Sequence, residues 1–140
     1  MTTAERYHDI SCGHRVVGHE NKCKYLHGHN YRFEFKIVGE KDSVGRVLDF
    51  GVIKSKLCAW LEETYDHKML IWKEDPMLPK LLELDAESVY ITGFNPTAEN
   101  IAEDFVKKIA PKLLRGTGTT LIELKLWETR KCSATYSLNL

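Results

Sequence analysis

Between Cys23 and Tyr31 the chain reads CKYLHGHNY, a thiol four positions ahead of a His-x-His pair. Three chemistries use such a set: a structural zinc knot, a group of buried hydrogen-bonded side chains, or the ligands of a catalytic metal. A structural zinc site takes four Cys or His ligands, often as two close pairs. The four cysteines, Cys12, Cys23, Cys58 and Cys132, include no CxxC, which weakens the first reading. His27 and His29 lie two apart on the lead-in to a strand-like run, so both leave one face. That face also carries Tyr31, Phe33, Phe35 and Ile37. His14 lies on the more apolar parity of an earlier strand, and a hairpin-like connection brings it alongside. Three neutral imidazoles from neighbouring strands make a trigonal set that suits zinc with one position left open, the mark of a catalytic site. On spacing alone, metal ligation and ordinary hydrogen bonding of core histidines both stay open. His8 and His19 read as surface or outlying residues.

Three further residues break local rules. Glu128 shares the parity of Ile122, Leu124 and Leu126, which puts a carboxylate in register with a core face, where an unpaired charge is costly. Either it has partners there or it reaches solvent at a frayed strand end. Asp66 directly precedes His67, and an Asp can orient an imidazole and fix its tautomer; a bare dipeptide is also common without any such role. Cys23, in a polar loop close to a cation, would favour thiolate. Cys12, Cys58 and Cys132 fall on apolar faces and read as small core fillers.

The elements that must position these groups follow from periodicity. RYHDISCGH (6–14) alternates as a strand, and HGHNYRFEFKIVG (27–39) does so more clearly. DFGVIKSKLCAWLEETY (49–65) has helical spacing at Phe50, Ile53, Leu57, Trp60 and Leu61, with Asp49 as N-cap. A loop rich in Asp and Pro leads to a weak strand at SVYIT (88–92). NPTAENIAEDFVKKIAPKLL (95–114) is a second helix opened by Thr97, which Pro111 should end or kink. TTLIELKLWETRKCSATYSLNL (119–140) reads as a strand, a turn near Thr129–Lys131, and another strand. This order predicts one α+β domain over 1–140, with two helices on one face of an antiparallel four-stranded sheet.

Composition excludes whole classes of function. The chain has 140 residues, with Lys+Arg and Asp+Glu balanced at 20 each, so no basic field argues for nucleic acid. No apolar run is long enough for a membrane span, and MTTAERYHDI does not read as a signal peptide. With no export signal and no paired cysteine spacing, the thiols are expected to be reduced and the protein cytoplasmic.

CGHR around His14, CKYLHGHNY, VLDFGVIK, YDHKML, NPTAENIA and LWET occur in one order along nearly the whole chain. In that combination the sequence resembles the 6-pyruvoyltetrahydropterin synthase and 6-carboxytetrahydropterin synthase group. The resemblance implies a tunnelling fold, in which sheets of several subunits join into a barrel. It implies a homohexamer of two trimers with active sites between chains, and a small-molecule pterin substrate, 7,8-dihydroneopterin triphosphate. It also implies Zn2+ on His14, His27 and His29, with Cys23 as proton acceptor and Asp66 and His67 as relay. Glu128 then holds the pterin ring and joins the relay, while Thr97 and Glu99 line the pterin pocket. The three residues between Cys23 and His27, and LDF at 48–50, resemble the bacterial carboxy-forming branch, which releases acetaldehyde and triphosphate on the route to queuosine and other 7-deazaguanines. The pyruvoyl-forming enzyme is the alternative, and a non-catalytic zinc or pterin binder the third. The sequence departs from the family at Tyr65 before Asp66, at KMLIW after His67, and in a long insertion over 73–94.

Overall fold

The computed structural model describes residues 1–139. Its centre is a long hairpin of strands β1 (Thr3–His14) and β2 (His27–Val38), paired antiparallel through twelve consecutive positions from Thr3↔Val38 to His14↔His27. β2 then pairs with β5 (Thr120–Trp127), and β5 with β6 (Ser133–Ser137), both antiparallel. These are the four expected strands; the last was expected to run to Leu140, which lies outside the described residues. Two short strands, β3 (Met69–Trp72) and β4 (Val89–Thr92), extend the sheet on the β1 side through parallel pairings. The sheet is therefore six-stranded and mixed, in the order β4-β3-β1-β2-β5-β6, rather than four-stranded and antiparallel.

Helix α1 runs over 50–64 as Phe50–Ile53, a π-helical turn Lys54–Cys58, and Ala59–Thr64. Asp49 caps it, its carboxylate accepting the Gly51 N–H at 2.7 Å. Helix α2 (Leu78–Asp85) lies in the insertion expected to be loop and buries none of its residues. It makes the crossover that a parallel β3–β4 pair requires. Helix α3 runs over 98–113 as Ala98–Asp104, a π-helical turn Phe105–Ile109, and Ala110–Leu113. Pro111 neither ends it nor breaks it: its ring would crowd the carbonyl four residues back, and the wide π turn immediately upstream makes room.

α1 and α3 cover one face of the sheet. Tyr31, Phe33, Phe35 and Ile37 of β2 meet Ile53, Leu57 and Leu61 of α1 and Ile101 and Phe105 of α3 in one buried cluster. The Phe105 ring stacks on Phe35 and tilts against Phe33. A bulge opposite Lys36 and Ile37 shifts the register of β5, so Leu121 takes the core position expected for Ile122, while Leu124 and Leu126 keep theirs. The other sheet face is polar, with Asp9, Ser11, Asn30 and Arg32 lining a groove of about 740 Å³.

Candidate metal centre

The hairpin register creates the site. The pairs His14↔His27 and Cys12↔His29 are cross-strand neighbours, so three imidazoles project from adjacent positions of the apolar face at the end where the helices stop covering it. The ring centroids lie 4.6, 4.8 and 5.2 Å apart. Glu128 follows the last residue of β5, and its backbone N–H donates to the Cys132 carbonyl at 3.0 Å. Its carboxylate turns into the histidine group, with Oε1 2.8 Å from His29 Nε2 and 3.5 Å from His14 Nε2. The frayed, solvated alternative for Glu128 is thereby excluded. His14, His27, His29 and Glu128 each offer a ligand atom, and all four atoms lie within 4.8 Å of one another.

The donor set fits a cation. His14 Nδ1 lies 2.6 Å from the Pro96 carbonyl and His27 Nδ1 2.7 Å from the Tyr25 carbonyl. A carbonyl only accepts, so both Nδ1 atoms carry hydrogen and both Nε2 atoms present lone pairs. Those two Nε2 atoms face each other at 2.9 Å, a repulsive arrangement unless a proton or a metal ion lies between them. His29 Nε2 is buried and makes no aligned hydrogen bond despite its closeness to Glu128. Burial holds His29 below its usual range, aided by His14 and His27 and opposed by Glu128. His14, with the other imidazoles, draws Glu128 below the usual carboxylate range against its burial. A carboxylate held ionised among three imidazole rings is a donor set that suits a cation.

Cys23 sits in a short 3-10 turn (Lys22–Lys24), and its carbonyl accepts the Val16 N–H at 3.0 Å. That bond ties the thiol loop to the residues just after His14. Among the other thiols, burial pushes Cys12 up to about 12, so it stays protonated at neutral pH. Cys58 is buried as expected. Cys132 is not a core filler: it is exposed, in the turn after Glu128. There it lines a cavity of about 150 Å³ with Ala98, Glu99 and Glu128. Thr97 caps α3, its Oγ1 accepting the Asn100 N–H at 3.1 Å. Thr97 and Glu99 thus lie at the helix end nearest the histidines.

Asp66 and His67 are elsewhere. Asp66 Oδ1 accepts the Ser11 N–H at 2.9 Å, Oδ2 lies 2.9 Å from His67 Nδ1, and the His67 N–H donates to the Ser11 carbonyl. Burial raises the Asp66 pKa, but the Ser11 N–H and His67 outweigh it and leave the carboxyl below its usual range. His67 has φ 62°, and among the described residues it is the one non-glycine with positive φ, a strained conformation found preferentially at functional sites. Its side chain is 80% exposed. Asp66 lines the groove of the polar face, and His67 an adjoining concavity with Ser11 and Asn30. One chain therefore gathers His14, His27, His29 and Glu128, while Asp66 and His67 stand outside that group, His67 lining a concavity that His29 also borders.

Two contributors were not singled out by sequence. The Tyr31 ring lies 5.4 and 5.9 Å from those of His29 and His14, with its hydroxyl buried and unpartnered; its shared parity with His29 was the available signal. The Pro96 carbonyl that orients His14 has no side-chain signature.

A family model described as 6-pyruvoyl tetrahydropterin synthase matches residues 3–139. The 6-carboxy-5,6,7,8-tetrahydropterin synthase of Rickettsia felis is 39% identical over 134 residues, covering 94% of this chain and 97% of that protein. The protein of that name from Aquifex aeolicus is 34% identical over 127 residues, 83% of this chain and 76% of its own. Among solved structures, the 6-pyruvoyl tetrahydropterin synthase of Caenorhabditis elegans superposes with a TM-score of 0.71 at 25% identity, over 99% of this chain and 96% of that one. An uncharacterized protein of Wolinella succinogenes shares the fold with a TM-score of 0.86 at 21% identity, over 99% and 98%. With sequence motifs, fold and histidine cluster in agreement over nearly its full length, the chain belongs to the 6-pyruvoyl tetrahydropterin synthase family.

Proposed function

We propose that this chain is a zinc-dependent 6-carboxy-5,6,7,8-tetrahydropterin synthase, one domain over 1–140, converting 7,8-dihydroneopterin triphosphate and one water to 6-carboxytetrahydropterin, acetaldehyde and triphosphate. The observation that carries the reading is the convergence of three Nε2 atoms and one carboxylate on a point where two lone pairs already face each other at 2.9 Å. Relatives named for this activity, Rickettsia felis among them, support the product.

His14, His27 and His29 would hold the ion, and what zinc supplies when bound is Lewis acidity toward the hydroxyls of the substrate side chain. Cys23, tied to the end of β1, takes a carbon-bound proton as thiolate. His67 moves a second proton, with Asp66 holding its Nδ1. Glu128 turns from the histidines toward the cavity it shares with Glu99 and accepts the pterin's amino and ring N–H groups, fixing the ring. Thr97 accepts the Asn100 N–H, leaving its own hydroxyl hydrogen for the ligand. Asp66 and His67 stand outside the histidine group, and they serve the site of a second copy, in a homohexamer whose sheets close into a barrel. Closure also removes the exposed edges at β4 and β6. The queuosine route follows from the family resemblance, and the cytoplasmic setting from the unpaired cysteines.

The test is turnover of zinc-loaded protein with 7,8-dihydroneopterin triphosphate, products identified by mass spectrometry. Carboxytetrahydropterin with acetaldehyde is expected. Pyruvoyltetrahydropterin would move the chain to the pyruvoyl-forming branch, and no turnover with zinc bound would leave a binder.

A further inference from the structure

Asn95 lies outside the groups already given a role, yet all its side-chain hydrogen bonds go to one place. Its carboxamide Oδ1 accepts the Val17 N–H at 3.0 Å, and its Nδ2 donates to the Val17 carbonyl at 2.9 Å. This is the two-bond exchange of an antiparallel pair, made by a side chain. The Asn95 carbonyl is held from the other side, accepting the Thr97 N–H at 2.8 Å and the Asn100 side-chain N–H at 2.9 Å. Asn95 thus locks the start of α3 to the segment three residues beyond His14. The next residue, Pro96, is buried, and its carbonyl receives His14 Nδ1 at 2.6 Å.

We propose that Asn95 is a positioning residue of the metal centre: by clamping Val17 it holds the Pro96 carbonyl on His14 Nδ1, and so fixes the tautomer that leaves His14 Nε2 bare. Pro96 suits this role because its ring fixes φ and so removes one of the two backbone torsions that could carry its carbonyl away. A metal-ligating histidine depends on the partner of its other nitrogen for orientation and tautomer. Here that partner is a carbonyl on a loop, 82 positions away in sequence, and the Asn95 clamp ties that loop directly to the segment after β1. The clamp reaches the proposed base too. Val16 donates to the Cys23 carbonyl while Val17 binds Asn95, so one short segment couples the thiol loop, the first histidine and the α3 entry.

The inference rests on the metal reading for its consequence, but its core is visible without metal. Imidazole nitrogen NMR of the metal-free protein should show His14 as a single Nδ1–H tautomer in the wild type. In Asn95→Ala it should show a mixture or the Nε2–H form. Zinc affinity by chelator competition should fall about 10–100-fold, and kcat should fall more than KM rises. Asn95→Asp keeps the bond from the Val17 N–H but sets an oxygen against the Val17 carbonyl; it should show the same changes in weaker form and stands in if Asn95→Ala does not fold. A variant with lower thermal stability but wild-type His14 tautomer and zinc affinity would reduce Asn95 to a structural residue and overturn the proposal. If the wild type itself binds no zinc, the metal reading fails, while the tautomer result still decides the role of Asn95.

Discussion

The histidine cluster and the Asp66–His67 pair are held in opposite ways. On the apolar face, His14 and His27 form the last pair of a twelve-pair register and His29 stands two pairs in, opposite Cys12; His14 is only 1% exposed. Their spacing is fixed by the same hydrogen bonds and apolar packing that fold the hairpin, so the site is rigid before any ligand arrives. By contrast, Asp66 and His67 are tied to β1 at Ser11 through a side-chain bond and a backbone bond, and to the end of α1 through the Asp66 N–H on the Leu61 carbonyl. His67 is strained and its side chain is largely exposed, lining an open concavity. The first arrangement brings its four side chains together within one chain; the second stands outside that group. Under the proposed function, the second arrangement serves the site of another copy.

Breaking the buried half should have the largest effect. His29→Ala removes a ligand that no neighbour can replace. Zinc should be lost by elemental analysis, with a fall in affinity beyond the ~10–100-fold of an outlying partner, while far-ultraviolet circular dichroism stays unchanged. Cys23→Ala should retain zinc but lower kcat by ~10²–10⁴-fold, the usual contribution of a positioned base. Retained turnover there would remove the thiol from the mechanism. Gly13→Ala asks whether the register itself carries the site. Its Cβ would come within 2.6 Å of the Met69 side chain and 2.8 Å of the His27 carbonyl. A loss of about 1–3 kcal/mol in denaturant unfolding is expected, together with weakened zinc binding, because strain at that crossing displaces His14 and His27.

The exposed half should respond differently. His67→Gly relieves a left-handed conformation that costs ~1–2 kcal/mol but adds unfolded-chain entropy of ~0.5–1 kcal/mol. Stability should rise slightly or hold while turnover is lost, the reverse of the Gly13 pattern. The smallest effect concerns pH. The Asp66 carboxyl is lowered in the folded state, so its contribution to stability is full above its unfolded pKa and disappears as pH falls through the lower folded one. Asp66→Asn should lack that component, so its stability should approach the wild type's at acid pH and lie below it near neutrality, read from unfolding curves across the range.

The sequence made the buried half legible because strand parity is a strict rule. A period of two puts His27, His29 and Tyr31 on one side, and only the hairpin register had to be supplied to add His14. Glu128 was visible for the same reason, as a charge at a core position. The stretch from β3 to β4 was legible only at its end. β4 answers the weak strand expected at 88–92, whereas β3, at four residues, is too short to show a period. The eight-residue α2 carries Leu78, Leu81 and Leu82 at helical spacing in a segment read as loop for its Asp and Pro content. Asp75, ahead of α2, is buried and accepts Arg15, the residue after His14, at 3.3 Å, a tie no periodicity reveals. The Ile122 expectation failed because a bulge changes parity without changing composition. Pro96 acts through a carbonyl, which every residue has.

The division of one site between two copies can be measured by mixing. Cys23→Ala and His67→Ala chains, each inactive alone, are unfolded together and reassembled, and turnover is compared with that of each variant treated separately. Random assembly pairs an intact Cys23 with an intact His67 in about a quarter of the sites, so recovery of about a quarter of wild-type activity is the result the account predicts. Activity no higher than that of the two inactive variants, with oligomers reassembled and zinc bound, would contradict it.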